Sequence, residues 1–170
     1  MTEERRTRIA IILSAAILLH NLEEWFALGL MPETLGQAHR LTGLILPGLA
    51  TVRAGLVAFA AFPLVILWRF AIRPTPRLTL VTCMIAAMTA TNALVPHLAL
   101  ALATGGYVPG LVSALALTLP FGLATLWQAR REAWLPHGRW LAAITTGILL
   151  IPAVLTGFWA LSELAAELAA

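Results

Sequence analysis

The sequence predicts an all-α, polytopic transmembrane helix bundle of about five spans, and two observations support that fold class. Of the 170 residues, 60% are hydrophobic and only 11% are charged, and the mean hydropathy is +0.88. A soluble domain, by contrast, has about 25% charged residues. The apolar residues also form runs of about 20, the length that a helix needs to cross the hydrocarbon core. We expect residues 1–170 to form a single transmembrane helical domain.

The five predicted spans are separated by polar or helix-breaking stretches. The spans cover approximately residues 9–30, 50–72, 78–103, 109–128 and 138–161. We expect MPETLGQAHR at 31–40 to be a polar connection. LTGLILPGL at 41–49 is too short to span. It is an interfacial turn, a re-entrant segment or the first turns of the second span, kinked at Pro47. The stretches RPTPR (73–77), GGYVPG (105–110) and RREAWLPHGR (130–139) contain proline or glycine, which interrupt helices.

The positions of the arginines predict how the bundle is oriented. Nine of them cluster before the first span, around the end of the second, and between the fourth and the start of the fifth: Arg5, Arg6, Arg8, Arg69, Arg73, Arg77, Arg130, Arg131 and Arg139. Because cytoplasmic loops carry an excess of basic residues, we expect the amino-terminus in the cytoplasm and the carboxyl-terminus outside. This placement also argues against a nucleic-acid partner, despite the pI near 10.4. The basic start followed by an apolar run is similar to a signal peptide, but we expect a retained first span.

Polar residues from several segments fall at one predicted depth, in the outer half of the bilayer. At a rise of 1.5 Å per residue, His20 and Glu24 lie about 18 and 24 Å along the first helix. Asn92 and His97 lie about 21 and 28 Å along the third. Three more residues are expected in the same layer, near the outer ends of other spans or in the outer loop: Arg53, Tyr107 and Ser113.

The spacing of these residues supports one shared site. At 100° per residue, His20, Glu23 and Glu24 lie on a face about 100° wide. Asn92 and His97 are five apart, which separates them by about 140° in an ideal helix. Pro96 lies between them and removes a backbone donor, so a distorted helix could still direct both side chains into one cavity. Charged side chains inside a membrane are costly and mark functional sites by default.

Three short stretches resemble a known family. HNLEE at 20–24 resembles the signature of the uncharacterised bacterial membrane proteins named after an HXXEE motif. NALVPH at 92–97 and YVPG at 107–110 resemble that family's other recurrent stretches. The resemblance covers most of the chain and implies a small multi-spanning protein with enzyme-like polar motifs. It also implies a location in the bacterial cytoplasmic membrane.

The first functional hypothesis is a metal-dependent enzyme that acts on a lipophilic substrate. Histidine and carboxylate ligands at helical i, i+3 and i+4 positions can chelate one cation. The expected ligands are an N/O set that suits zinc, iron or manganese: His20, Glu23, Glu24 and His97. Other residues are expected to contact the substrate or to orient the ligands: Asn92, Tyr107, Ser113, Arg53 and Trp25. The partner is then a membrane lipid or another lipophilic small molecule.

The second hypothesis needs no cofactor. Glu23 and Glu24, assisted by Asn92 and Tyr107, would act as general acid and base, and Trp25 could stabilise a carbocation. Such a site suits an isomerase or cyclase of an isoprenoid or sterol-like lipid. The architecture is loosely similar to that of the sterol isomerase superfamily.

Two further hypotheses stay open. The cluster could carry protons or a transported cation, which five spans would do more readily as a homodimer. Alternatively, Arg53 could neutralise the glutamates in a purely structural clasp between helices. We expect Arg53 within reach of Glu23 or Glu24 in either case.

Overall fold

The computed structural model describes residues 2–31, 33–42 and 48–168, except for the side chains at 39, 42, 155, 158, 159 and 161–168. The structure is 89% helical, and the described residues contain no strand. The helices in chain order are α1 (Glu3–Leu30), α2 (Glu33–Thr42), α3 (Leu49–Ile72), α4 (Pro76–Thr104), α5 (Leu111–Arg131) and α6 (His137–Leu168). The all-helical prediction is therefore confirmed.

Five of these helices are long and apolar enough to cross a membrane: α1, α3, α4, α5 and α6. This number confirms the predicted five spans. Local signals set their ends. The Thr75 hydroxyl accepts a hydrogen bond from the Leu78 N–H at 3.2 Å, and Pro76 follows at the first helical position. Gly105 ends α4 with a φ of +69°, a left-handed conformation that favours glycine.

The short helix α2 occupies most of the stretch 31–40, for which the sequence predicted only a polar connection. Leu35, Ala38 and Leu41 recur at three-residue spacing and line one side of an internal cavity. Glu33 and Arg40 are exposed to solvent. This one-sided pattern is that of an amphipathic helix. Of the segment 41–49, residues 43–47 lie outside the described part of the chain, so the choice among an interfacial turn, a re-entrant segment and an extended second span stays open.

Helix α4 is the centre of the bundle and makes its most extensive contacts with α6 and α5. Glycines permit the close approach. A Cβ added at Gly147 would lie 2.5 Å from the Met84 carbonyl, and one at Gly122 would lie 2.7 Å from the Ala86 carbonyl. Small residues at helix interfaces are typical of membrane bundles, since lipid supplies no hydrophobic driving force for association.

The apolar core fills the half of the bundle that carries the arginine-rich ends. It includes Leu13 of α1, Leu67 and Phe70 of α3, and Cys83 of α4, all fully buried. Polar side chains form hydrogen bonds at this end of the bundle. Glu132, in the turn after α5, accepts hydrogen bonds from Trp134 Nε1 at 3.0 Å, from Arg5 of α1 and from Gln128. The hydrogen bond from Trp134, and then that from Arg5, lowers the pKa of Glu132. The opposite half of the bundle contains the polar cluster.

Candidate functional site

An interruption of α4 brings Asn92 and His97 to the same side. Val95 has a φ of −136° and a ψ of 112°, which are not helical values, and the following Val95–Pro96 peptide bond is cis. The helix resumes beyond the break and continues to Thr104. The Asn92 Nδ2 atom lies 3.1 Å from His97 Nε2. Residues that an ideal helix would place about 140° apart are therefore in contact.

Helix α1 supplies the other half of the cluster. The Asn92 Nδ2 atom also lies 3.1 Å from His20 Nε2. Glu24, one turn further along α1, places its Oε2 atom 3.6 Å from His20 Nε2 and 3.9 Å from His97 Nε2. The imidazole rings of His20 and His97 stand nearly perpendicular, with centroids 4.7 Å apart. Four predicted site residues from two helices thus converge on one point.

The start of α5 orients His20. The Ser113 Oγ atom lies 3.2 Å from His20 Nδ1 and donates to the Gly110 carbonyl at 3.4 Å. A hydrogen bond at Nδ1 directs the other ring nitrogen, Nε2, toward Glu24 and Asn92. Gly110 permits this approach: it has a φ of +83°, and an added Cβ would lie 2.8 Å from His97 Cε1 and 2.9 Å from His20 Cε1.

Glu23 has a different environment from Glu24. Its carboxylate accepts hydrogen bonds from the Ser113 N–H at 2.6 Å, the Val112 N–H at 3.2 Å and the Tyr107 hydroxyl at 2.8 Å. The first N–H groups of a helix lack partners within the helix, and a negative charge there is favourable. Glu23 therefore caps α5 from outside that helix.

Tyr107 belongs to the same cap. Burial, together with the hydrogen bond to Glu23, raises the pKa of Tyr107 to about 12. The hydroxyl group therefore stays protonated at neutral pH and donates to the carboxylate. Tyr107 does not contact the His20–Glu24–His97 cluster in the described structure. Tyr107 lies in the loop between α4 and α5, as the sequence predicted.

Arg53 departs from the sequence-based expectation of an ion pair with Glu23 or Glu24. Among the side chains that the structure describes, Arg53 pairs with neither glutamate. Its guanidinium carbon lies 5.0 Å from the centre of the Trp25 ring, and its Nη2 donates to the Trp25 carbonyl at 3.2 Å. The physical reason is the helical rotation of α1, which directs Trp25 and Gly29 toward α3. Gly29 leaves the space that the guanidinium occupies.

An apolar cavity of about 440 Å³ adjoins the cluster. His20, Glu24, Asn92 and His97 form part of its wall, and the remainder comes mostly from hydrocarbon side chains of α1, α2, α3 and α4. Glu23, Trp25, Arg53, Tyr107 and Ser113 are not among its described lining residues. The structure therefore separates residues that face the cavity from residues that support them.

The donor set fits a divalent cation. His20, Glu24 and His97 each offer one ligand atom, and these atoms all lie within 4.8 Å of one another. Two ligand atoms that each lie about 2.1 Å from a tetrahedral ion are about 3.4 Å apart, which is close to the carboxylate–imidazole distances of 3.6 and 3.9 Å. Two imidazoles and a carboxylate are the protein ligands of catalytic zinc sites and of mononuclear iron sites that keep open positions. Glu23, the fourth expected ligand, lies outside this group because it caps α5.

Two parts of the site were missed by the sequence analysis. Helix α2 covers part of the cavity, and the leucine spacing at 35 and 41 was the signal that could have shown it. Pro109 lines the cavity, and Gly110 lies against the Cε1 atoms of both imidazole rings. The sequence marked these residues only as a turn, because a contact between a glycine and two distant rings leaves no local pattern.

The fold and the cluster define a class: a small helical membrane protein with a buried His/Glu group beside an apolar cavity. Residues 11–125 match the family model described as "Protein of unknown function with HXXEE motif". The chain belongs to this HXXEE family, as the resemblance of HNLEE, NALVPH and YVPG implied. No curated protein and no solved structure matches the chain.

Proposed function

We propose that this protein is an integral membrane enzyme that binds a divalent metal ion through His20, Glu24 and His97 and acts on a lipophilic molecule. One observation carries the proposal: an imidazole nitrogen and a carboxylate oxygen from α1 and an imidazole nitrogen from α4 all lie within 4.8 Å of one another. The ligands also line an otherwise apolar cavity. Intramembrane ionisable groups are costly, and their convergence on a cavity favours a functional site over a structural clasp.

The ion supplies Lewis acidity when it is bound, and zinc, iron and manganese all suit this N/O set. Other residues of the chain would orient the metal ligands and the substrate. Ser113 holds Nδ1 of His20, so that Nε2 is presented to the cavity. The Asn92 amide lies within hydrogen-bonding distance of both histidines and can orient a polar group of the substrate. Glu23 and Tyr107 support the site through α5, rather than acting on the substrate themselves.

The proposal includes a partner molecule and a membrane location. A membrane lipid or a lipophilic small molecule is the expected partner, since the cavity walls are hydrocarbon. The bacterial cytoplasmic membrane, with the amino-terminus inside, is the expected location, because it agrees with the arginine distribution. A homodimer stays a prediction from the sequence.

Elemental analysis of protein purified without added metal tests the proposal. Wild-type protein should contain about one zinc, iron or manganese ion per chain, and His20→Ala, His97→Ala and Glu24→Gln should each lose it. Leu22→Ala is the control on α1, because Leu22 is 50% exposed and offers no ligand. Metal-free wild-type protein, or a Glu24→Gln variant with full metal content, would contradict the metal site.

A metal-free acid–base enzyme is the second candidate. The contacts that favour it are the 3.6 Å approach of Glu24 to His20 and the Asn92 amide between the two imidazoles. These contacts link a carboxyl group to two imidazoles without requiring an ion. Wild-type protein that lacks metal but holds a lipid beside Glu24 would favour this candidate. Proton or cation flux in proteoliposomes would instead favour transport.

A further inference from the structure

The wall of the 440 Å³ cavity has its ionisable side chains at one place. Elsewhere the wall is mainly apolar, with a few amide and hydroxyl groups from Asn21, Thr34, Thr89 and Thr118. His20, Glu24 and His97 are the only titratable side chains among its described lining residues. Away from them the wall is formed by side chains such as Leu28, Leu35, Leu41, Leu56, Phe59 and Leu100. A ligand that fills such a space needs a hydrocarbon body and a single polar group directed at the cluster.

The charge of the wall limits the polar group. No arginine lines the cavity among the described residues, and Glu24 contributes a carboxylate. A phosphate or diphosphate group would enter the cavity with only the bound ion to balance its charge, and burying an unpaired charge is costly. A neutral oxygen function, such as a hydroxyl group, can instead accept a hydrogen bond from Asn92 or coordinate the ion.

The volume limits how many atoms of the ligand lie inside the cavity. A group the size of a water molecule occupies about 30 Å³, so the cavity holds about 15 non-hydrogen atoms. Access from the bilayer is consistent with the packing of α3. This helix packs against the Pro76–Asn92 part of α4, but it makes no comparable contact with the part beyond the Val95 break in the described chain. Exposed apolar side chains lie at the break, at Leu94 and Val95, and beyond it, at Leu102.

We infer that the ligand of this cavity is a neutral, single-chain lipophile with one terminal oxygen group, of which about 15 non-hydrogen atoms lie inside the cavity. The inference rests on the proposed function, since it names the substrate class of that same site. It further requires the oxygen group to lie against His20, His97 and Glu24, and the chain to lie against α2, α3 and Ala99–Thr104. Phosphorylated lipids are excluded as substrates.

Native mass spectrometry of the detergent-solubilised holoprotein, incubated with defined probes, tests this inference. Tetradecanol matches the cavity in size, and tetradecyl phosphate adds a charged head to the same chain. We expect one tetradecanol per chain and at least a tenfold weaker adduct with the phosphate, a difference of about 1.4 kcal/mol. Equal retention of the alcohol and the phosphate would overturn the inference.

A pair of variants locates the binding. Ala99 lines the cavity on an exposed surface of α4, so Ala99→Trp fills the space without overpacking a buried core. Leu102→Trp is the matched control, because Leu102 lies on the same segment, is 75% exposed and is not a lining residue. The first variant should lose the tetradecanol adduct and the second should keep it. An adduct that persists in Ala99→Trp would place the alcohol elsewhere and refute the inference.

Metal content, measured on the same samples, separates the two claims. Ala99 is not a ligand, so both variants should keep the wild-type metal content. Selective tetradecanol binding by a metal-free wild-type protein would refute the proposed function but support the cavity's ligand class. A metal-loaded protein that retains no tetradecanol would support the proposed function but refute the cavity's ligand class.

Discussion

Glu23 and Glu24 are neighbours in the sequence, but the rotation of about 100° per residue in a helix directs them to different surroundings. Glu24 lies against His20 and His97 at the cavity. Glu23 accepts hydrogen bonds from two backbone N–H groups of α5 and from Tyr107. The adjacent carboxylates of the HXXEE motif therefore combine one proposed metal ligand with one helix cap.

The first prediction separates these two roles. Glu23→Gln weakens charge-assisted hydrogen bonds at the start of α5, so the free energy of unfolding should fall by about 1–3 kcal/mol. Its metal content should stay near that of the wild type. Glu24→Gln should lose the metal, while unfolding of the metal-free protein changes little. Thermal unfolding with and without a chelator measures both effects. The same loss of metal in both variants would contradict separate roles.

The second prediction concerns Gly110, which lies against both imidazole rings. An alanine there meets two obstacles: the positive φ, which costs roughly 1 kcal/mol, and the His20 and His97 Cε1 atoms within 3 Å of the new Cβ. The rings must move, so Gly110→Ala should reduce metal content as well as stability.

Gly105 provides the matched control. It also has a positive φ, of +69°, but an added Cβ meets nothing within 4 Å. Gly105→Ala should therefore show the conformational cost alone and keep its metal. Equal metal contents in the Gly105 and Gly110 variants would show that the contact between Gly110 and the rings does not affect metal binding.

For single residues, the sequence predicted those contacts that depend on position within one helix. The four-residue spacing of His20 and Glu24 sufficed, because a regular helix fixes the relation between i and i+4. Asn92 and His97 needed the additional effect of Pro96, which the sequence indicated but could not quantify. Arg53 was misplaced, because the depth of a residue in the membrane does not give the rotation of its helix about its own axis.

For whole helices, prediction from the sequence has the same limit. Apolar length predicted the five long helices, since only a helix satisfies its own backbone within lipid. Helix α2 was missed, because ten mostly polar residues carry no spanning signal and their amphipathic pattern spans less than three turns. The cavity between α2, α3 and α4 depends on how the helices pack, which no single segment encodes.

The third prediction tests the close packing of α6 on α4. In Gly147→Ala, the new Cβ would lie 2.5 Å from the Met84 carbonyl and 2.7 Å from the Ala87 Cβ. The backbone of α4 cannot move aside without disturbing its other contacts, so the variant should lose about 1–3 kcal/mol of unfolding free energy.

Gly157 is the control on the same helix, because a Cβ there meets nothing within 4 Å. Gly157→Ala should leave the stability unchanged or raise it by up to about 1 kcal/mol, the gain in helix propensity. Unfolding of both variants in one detergent measures the difference. Gly147→Ala with wild-type stability would contradict the close contact.

Across the whole molecule, the two ends of the bundle differ in chemistry. The end with the apolar core also carries Arg5, Arg6, Arg73 and Glu132, and these side chains make contacts such as the hydrogen bond from Arg6 Nε to the Ala71 carbonyl at 2.9 Å. The end with the cavity has the uncharged 105–110 loop. If basic residues face the cytoplasm, the cavity lies in the outer half of the bilayer.

The last prediction tests this orientation by cysteine labelling in intact cells. Gly105 lies in the loop at the cavity end and Thr75 in the turn at the arginine-rich end, and both are exposed. Cys83 is fully buried and is replaced by alanine to remove any background. A membrane-impermeant maleimide should label Gly105→Cys from outside and leave Thr75→Cys unlabelled until the cells are permeabilised. The reverse pattern would place the arginine-rich end outside and the cavity in the cytoplasmic half, because the bundle fixes both residues at opposite ends of α4.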